Sequence, residues 1–296
     1  MTFSIDQALV TQFSDMVYMQ AQQTKFRMQP VVDIQQVKGK DFAVERLDRV
    51  EAIEVTSRHA DTVAQDITHS RRQLPMREFR TTILLDDFDD VSTLIDPQRG
   101  YATAIANAMN RQMDRICSQA AFADVRTGRN FGTTVTFAND DGLTVPVAST
   151  GMTYDKLLLA QQNFIDNEVG VEAGEDLFLM VTGQQNTNLM NEPELTSGDF
   201  TREYAVESGR VANAAGFKLI HFSGLATNPV IAKVSTTRRC IAAAKGAIVL
   251  GISKSMSLSI DKRPDKNNAL QLQAAMYIGA VRRDGRKIQL VEALES

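Results

Sequence analysis

The chain has 296 residues, 43% of them hydrophobic, which excludes a disordered protein and allows two modest domains or one large one. A net charge of −4 argues against a protein that grips nucleic acid tightly, since that usually needs a basic surface. The two cysteines, Cys117 and Cys240, lie far apart in apolar contexts and read as a buried, reduced pair, not a disulfide framework.

No basic-then-apolar signal segment opens the chain, and no apolar run approaches about 18 residues. A soluble protein, intracellular where it is made, is therefore expected. Residues 5–28 carry Ile5, Leu9, Phe13 and Met16/Val17 at helical spacing, with Ser4 and Gln7 as a capping box and Pro30 as a stop. From Lys38 to Asp90, 21 of 53 residues are charged, and alternation survives only in pieces such as Phe42/Val44 and Ile53/Val55. So thin an apolar set cannot offset the ordering entropy of an independent core. β-branched residues and mixed charge signs argue against disorder, so this arm is expected to lie on another copy of the chain.

Leu74 to Leu85 reads as strand and leads into the acidic knot Asp86, Asp87, Phe88, Asp89 and Asp90, better suited to a helix start than to calcium. The spacing predicts a helix from about Pro97 to Ala123. Tyr101, Ile105, Met109, Met113, Cys117 and Ala121 lie on its apolar side, with Arg111, Asp114 and Arg115 opposite. About 27 residues at ~1.5 Å each give roughly 40 Å, a spine for a sheet to pack on. Residues 130–149 read as a strand or hairpin turning at Asn139-Asp140-Asp141-Gly142. Beyond them come a helix at 154–167, a buried strand at 177–181, a helix near 184–190, and strands at 217–222 and 241–252. That order implies a mixed sheet with flanking helices. Strands at 270–282 and 287–293 close the chain, joined by a hairpin turn at Arg283-Asp284-Gly285-Arg286.

Charge is unevenly spread. Residues 130–208 hold 13 acidic and two basic residues, whereas 209–260 hold seven basic and no acidic ones. Such halves can neutralise each other within one chain or between neighbours in a ring. Chemistry is poorly signalled. His59, Asp61, Asp66 and His69 lack a recognised ligand spacing, and His221 sits in a strand as a packed or hydrogen-bonded histidine. Glu172, Glu175 and Asp176 form an acidic loop with no identifiable partner. No nucleophile elbow, phosphate loop, dinucleotide fingerprint or metalloprotease motif is present. No catalytic residue, cofactor or metal is expected, and the chain is not expected to be an enzyme.

The order of parts resembles the major capsid proteins of tailed bacteriophages, the Hong Kong 97-type fold. The wording is closest along Thr56-Ser57-Arg58-His59-Ala60-Asp61-Thr62, His69-Ser70-Arg71-Arg72, Leu85-Asp86-Asp87, Leu94-Ile95-Asp96-Pro97 and Gly279-Ala280-Val281-Arg282-Arg283 through Val291. The resemblance implies an α+β fold with an N-terminal arm at 1–36 and an extended loop at 37–85. A peripheral domain with the spine helix would take 86–150 and 253–296, and an axial mixed α/β domain 151–252. It further implies a virion protein that self-assembles, as pentamers and hexamers, into an icosahedral head shell enclosing double-stranded DNA without binding it tightly. Assembly would occur in the host cytoplasm, away from membranes, with a separate scaffolding protein and a portal as partners. An encapsulin-like compartment shell is the alternative reading, and a soluble α/β hydrolase a more distant one. Candidate subunit-interface residues are Arg71 and Arg72 on the charged arm, and Arg238 and Arg239 in the basic region.

Overall fold

The structure is a computed structural model of the chain. It describes residues 22–295 apart from 40, 55, 59, 60, 62, 63, 86–96, 171–173, 197–205, 208, 226 and 227. The acidic knot and most of the expected N-terminal helix lie outside the described residues. Residues 22–28 are described and are irregular.

The chain forms two compact units. The first comprises Glu78–Gln112, Lys254–Tyr277 and the described residues before Phe26, and the second Phe26–Arg77, Met113–Ser253 and Ile278–Ser296.

Around the second unit's main core lies a seven-stranded mixed sheet. Its strands are β7 (Leu143–Val145), β8 (Leu177–Thr182), β11 (Asn213–Ala214), β12 (Phe217–Phe222), β13 (Lys233–Val234), β14 (Thr237–Ala244) and β17 (Ile288–Leu294), in the order β11-β12-β8-β14-β17-β7 with β13 on β14. β8 is central and reads Leu-Phe-Leu-Met-Val-Thr, buried at every position, as a strand covered on both faces must be. Helix α2 (Tyr154–Asp166) lays Leu157, Ala160 and Phe164 on this sheet, and Phe164 meets Phe217 at 6.0 Å between ring centroids. Its N-terminal loop is held by Lys156, whose Nζ donates to the carbonyls of Val147, Thr150, Gly151 and Glu292 at 2.7–3.0 Å. Helix α3 (Gly183–Met190) starts directly after β8 through a capping box of Thr182 and Gln185.

A narrower sheet in the same unit joins β2 (Asp41–Leu47), β3 (His69–Pro75), β5 (Val125–Thr127) and β6 (Thr133–Val135). β2 and β3 form an antiparallel ribbon in register from Asp41↔Pro75 to Leu47↔His69. Every described side chain in the connection from Asp48 to Thr68 is exposed. Strands form where a partner strand exists, with Val44 and Leu74 buried in the chain itself, and beyond Leu47 no described side chain of the connection is buried.

Helix α1 (Pro97–Phe122) begins in the first unit and ends in the second. Ile105 and Met109 are buried in the first, and Cys117, Ala120 and Ala121 in the second, as the periodicity predicts, whereas Tyr101, expected on the same side, is 39% exposed. Asp114 departs from it. This carboxylate is fully buried and accepts the backbone N–H groups of Arg27 (3.1 Å) and Met28 (2.9 Å), closing the bend that delivers the chain to β1 (Val32–Gln36). β1 pairs in parallel with residues 248–252 of β15 (Ile248–Arg263), in a sheet ordered β1-β15-β16-β4 with β4 (Arg77–Leu85) and β16 (Ala269–Arg282).

Three expected connections differ. The strand expected over 241–252 is two strands, because Gly246 (φ +74°) turns the chain between β14 and β15. The expected 130–149 hairpin does not form: β6 joins the ribbon sheet and β7 pairs in parallel with β17. Nor do β16 and β17 make the expected closing hairpin, since they belong to different sheets. The turn between them is pressed against Asp140, where a Cβ on Gly285 would stand 1.7 Å from the Asp140 carbonyl oxygen.

A candidate subunit interface rooted in a buried arginine–aspartate cluster

Successive side chains on a strand point to opposite faces, so Arg71 and Arg72 part company on β3. Arg71 stays on the exposed face and pairs across the ribbon with Glu45 at 2.9 Å. Arg72 turns inward and is only 3% exposed. Its Nη1 donates to Asp140 Oδ2 (2.7 Å) and to the Arg282 carbonyl (3.1 Å), and its Nη2 donates to Asp140 Oδ1. Arg282, fully buried at the end of β16, donates from Nε to Asp140 Oδ2 (2.7 Å) and from Nη1 to the carbonyls of Ala121 and Ala123 at 2.9 and 3.0 Å. The Phe137 ring lies under the Arg282 guanidinium at 5.3 Å. Arg46 of β2 completes the cluster, 3.8 Å from Asp140 and 3.3 Å from Asp284.

Asp140 is thus a junction for the ribbon, the end of α1 and the end of β16. Burial alone would raise its pKa. The hydrogen bonds from Arg72 and Arg282 outweigh burial and hold it below the ordinary aspartate value. Arg72 Nε and Arg282 Nη2 are buried without hydrogen-bond partners among the described residues. An imperfectly satisfied cluster of this kind fixes geometry more than it adds net stability.

The second candidate pair repeats the pattern on β14. Arg238 is 2% exposed and grips Glu295 through Nε and Nη2 (2.7 Å for the latter). It also donates to the carbonyls of Ile231 (2.9 Å) and Gly224 (3.3 Å). Glu295 in turn accepts from Gln185 at 3.3 Å, which ties the chain's end to the α3 capping box. Hydrogen bonding from Arg238 leads the causes that lower the Glu295 pKa. Arg239 points the other way, its guanidinium 5.1 Å from the Phe122 ring centroid in a cation–π contact. The expectation that all four arginines face another subunit is therefore corrected for Arg72 and Arg238. Both are enclosed in their own chain, because strand alternation sends one of each adjacent pair inward. Arg71 and Arg239 remain as surface candidates.

Asp140, Arg282, Asp114 and Lys156 are the residues that sequence reasoning missed. The turn at 139–142 was legible. That its aspartate would meet arginines at positions 72 and 282 was not, since local spacing carries no information about such distant partners.

Nothing in the described residues assembles a reaction centre. His221 Nε2 donates to the Val211 carbonyl at 3.2 Å, and burial lowers its pKa. Cys117 and Cys240 are free and buried, and burial pushes the Cys117 thiol up and the Cys240 thiol to about 12. No group of three or more metal-ligating side chains occurs among the described residues, and no helix among them is long and apolar enough to cross a membrane. His59 lies outside those residues. A surface groove of about 440 Å³ in the second unit has a mixed lining, with Ile116, Val125 and Val281 beside Gln73, Arg77 and Asp124, and holds no nucleophile–base pair.

Comparison with known proteins supplies what side-chain chemistry does not. The chain is similar over its whole length to the solved capsid of the cyanophage P-SCSP1u, with a TM-score of 0.74 and 14% identity, covering 100% of this chain and 96% of that one. The acid-stable capsid of Helicobacter pylori bacteriophage KHP30 superposes with a TM-score of 0.72 at 9% identity, covering 99% and 98%. A structure from Gordonia phage Cozz gives 0.70 at 14% identity, covering 98% and 93%. These likenesses show the fold, which is of the Hong Kong 97 type. No curated protein sequence matches. The family described as phage capsid protein matches residues 5–295. The chain therefore belongs to that family, and it is a major capsid protein that forms the shell of a phage head.

Proposed function

We propose that the shell is icosahedral, is built from pentamers and hexamers of this chain, and encloses packaged double-stranded DNA. The family match over residues 5–295 carries this reading and turns against the encapsulin-like and hydrolase alternatives. The β2–β3 ribbon, tied at its root by Arg72 and Asp140 and uncovered beyond Leu47, supports the assignment of residues 37–85 as an extended loop that lies over a neighbour. Residues 1–36 would form the N-terminal arm, 86–150 and 253–296 the peripheral domain, and 151–252 the axial domain. The net charge of −4 fits a container that encloses DNA without gripping it. Part of the charge asymmetry is met within the chain, where Lys218 pairs with Asp176 at 2.8 Å. The remainder faces neighbouring axial domains, with Arg239 at that contact and Arg71 reaching an acidic group of the next subunit. A scaffolding protein and a portal are further partners, assembly takes place in the host cytoplasm, and the role is structural, not enzymatic.

Electron microscopy of the purified chain, alone and co-expressed with its phage's scaffolding protein, tests the reading. Closed shells or five- and six-fold capsomers are expected. Uniform small particles under both conditions overturn it.

A further inference from the structure

Lys156 sits where a cation is least welcome. It lies in the first turn of α2, at the end whose free N–H groups make a helix positive, and it is buried. Its Nζ is nevertheless ringed by four carbonyl oxygens: those of Val147 at 2.7 Å, Thr150 at 2.9 Å, Gly151 at 2.8 Å and Glu292 at 3.0 Å. An ammonium group has only three protons to share among them. The loop that supplies three of these oxygens is itself held against preference. Ala148 (φ +47°) and Ser149 (φ +54°) are successive left-handed residues, a conformation that side chains other than glycine adopt reluctantly. Beyond the ring, the Thr150 N–H donates to the Val147 carbonyl at 3.0 Å and the Leu294 N–H to the Thr150 carbonyl at 2.9 Å, so the oxygens are fixed in place by backbone as well as by the lysine.

A ring of carbonyls around one positive charge is the arrangement by which a channel filter replaces the hydration shell of a potassium ion. The distances here, 2.7–3.0 Å, are longer than the roughly 2.3–2.6 Å that calcium takes and the ~2.0–2.1 Å that magnesium demands. All four oxygens are backbone carbonyls and none belongs to a carboxylate, so the ring itself offers nothing to offset a second charge. Its size and its charge both suit a large monovalent cation. We propose that the loop at 147–151, closed by the Glu292 carbonyl, is a monovalent-cation site of the potassium and ammonium class, in which the native chain supplies the cation from its own Lys156. The charge, more than the hydrocarbon stem that delivers it, then holds the left-handed loop between α2 and the closing strand β17. A tethered cation is present whatever the surrounding salt, so the native subunit is indifferent to the identity of the cation in solution. Truncating the side chain leaves the oxygens facing a space that only two small occupants can enter, a free cation or water, and a polar site of this kind admits either.

The test is the thermal unfolding midpoint of the unassembled Lys156→Ala subunit in the chlorides of potassium, ammonium, sodium, lithium and choline, at constant ionic strength. Potassium and ammonium should raise it saturably, by about 2–4 °C at a roughly tenfold excess over half-saturation. Lithium should do little and choline, too large for the ring, nothing. The parent subunit and Lys156→Met, whose side chain fills the space without a charge, should show no such dependence. Midpoints of Lys156→Ala that are equal in all the salts mean that water fills the ring and overturn the inference. So does an equal response of Lys156→Met, which marks a general salt effect. Should Lys156→Ala fold in none of these salts, the titration passes to Lys156→Ala combined with Ala148→Gly and Ser149→Gly, since glycine takes the left-handed conformation at no steric cost. If that variant also fails to fold, or does not distinguish potassium from choline, a free ion cannot replace the ammonium and the inference falls. None of these outcomes involves a shell, so the capsid assignment stands or fails separately.

Discussion

Asp140 receives hydrogen bonds from two buried guanidinium groups and lies 3.8 Å from a third, so removing Arg72 deletes its charge-assisted bonds to the carboxylate while Arg282 still pairs it. Losing hydrogen bonds to a buried charged group costs about 1.5–3 kcal/mol. Arg72→Ala should therefore lower the stability of the unassembled subunit by about that amount in denaturant titration. Arg71→Ala, which loses one exposed pair, should cost ~0–1 kcal/mol. Equal effects of the two substitutions would contradict the inward and outward assignment. The cluster also has a pH signature. Asp140 has a lower pKa folded than unfolded, so its contribution is complete above about pH 4, the ordinary aspartate range, and fades as pH falls through the lowered folded value. Asp140→Asn should flatten that acid limb of the subunit's stability curve. Lys156 makes a similar case through backbone carbonyls: Lys156→Met would remove the ammonium donor shared by four of them, of which those of Val147 and Thr150 keep backbone partners, and should cost about 1–3 kcal/mol in the same titration. None of this was legible in the sequence, because an arginine that will be buried and one that will be solvated look alike until the faces of the strand are assigned.

At the scale of elements, periodicity was informative wherever one face of a helix or strand decides the burial. The spine helix, β8, α2 and β12 fall within a residue or two of their expected bounds. Connections were less legible, because a turn sequence signals a reversal without saying which strand the returning chain will pair with. β6 and β7 flank a good turn yet enter different sheets. Close backbone approach is similarly hidden. At Gly279 a Cβ would stand 2.2 Å from the Pro75 carbonyl oxygen, so β16 passes the end of β3 only because the side chain is missing. Gly279→Val should force those backbones apart and destabilise the subunit by about 1–3 kcal/mol. Gly132, with nothing within 4 Å of its Cβ position, supplies the control. A Gly132→Val variant as unstable as Gly279→Val would mean that close approach is not the cause.

For the whole molecule, an asymmetry of burial is the consequential property. The second unit surrounds its seven-stranded sheet with fully buried residues such as Phe164, Leu179 and Phe217, whereas residues 48–68 bury none of their described side chains. A stretch so uncovered opens locally with a free energy near zero unless another surface protects it. Amide exchange should therefore be fast over residues 48–68 in the unassembled subunit and slow by orders of magnitude in shells, while β8 and β14 stay protected in both. The ribbon itself, paired from Asp41 to Leu47 and anchored through Arg72, should exchange slowly even in the free subunit. That contrast separates two ways of building an extended loop. A loop ordered only by its neighbour would exchange rapidly from root to tip. A loop pre-set by a buried anchor would show a sharp boundary near Leu47 and His69, and would meet its neighbour with part of the ordering cost already met. Arg72→Ala should erase the boundary and slow assembly even where shells still form. Rapid exchange along the whole ribbon of the parent subunit would show instead that the cluster does not hold the loop in place.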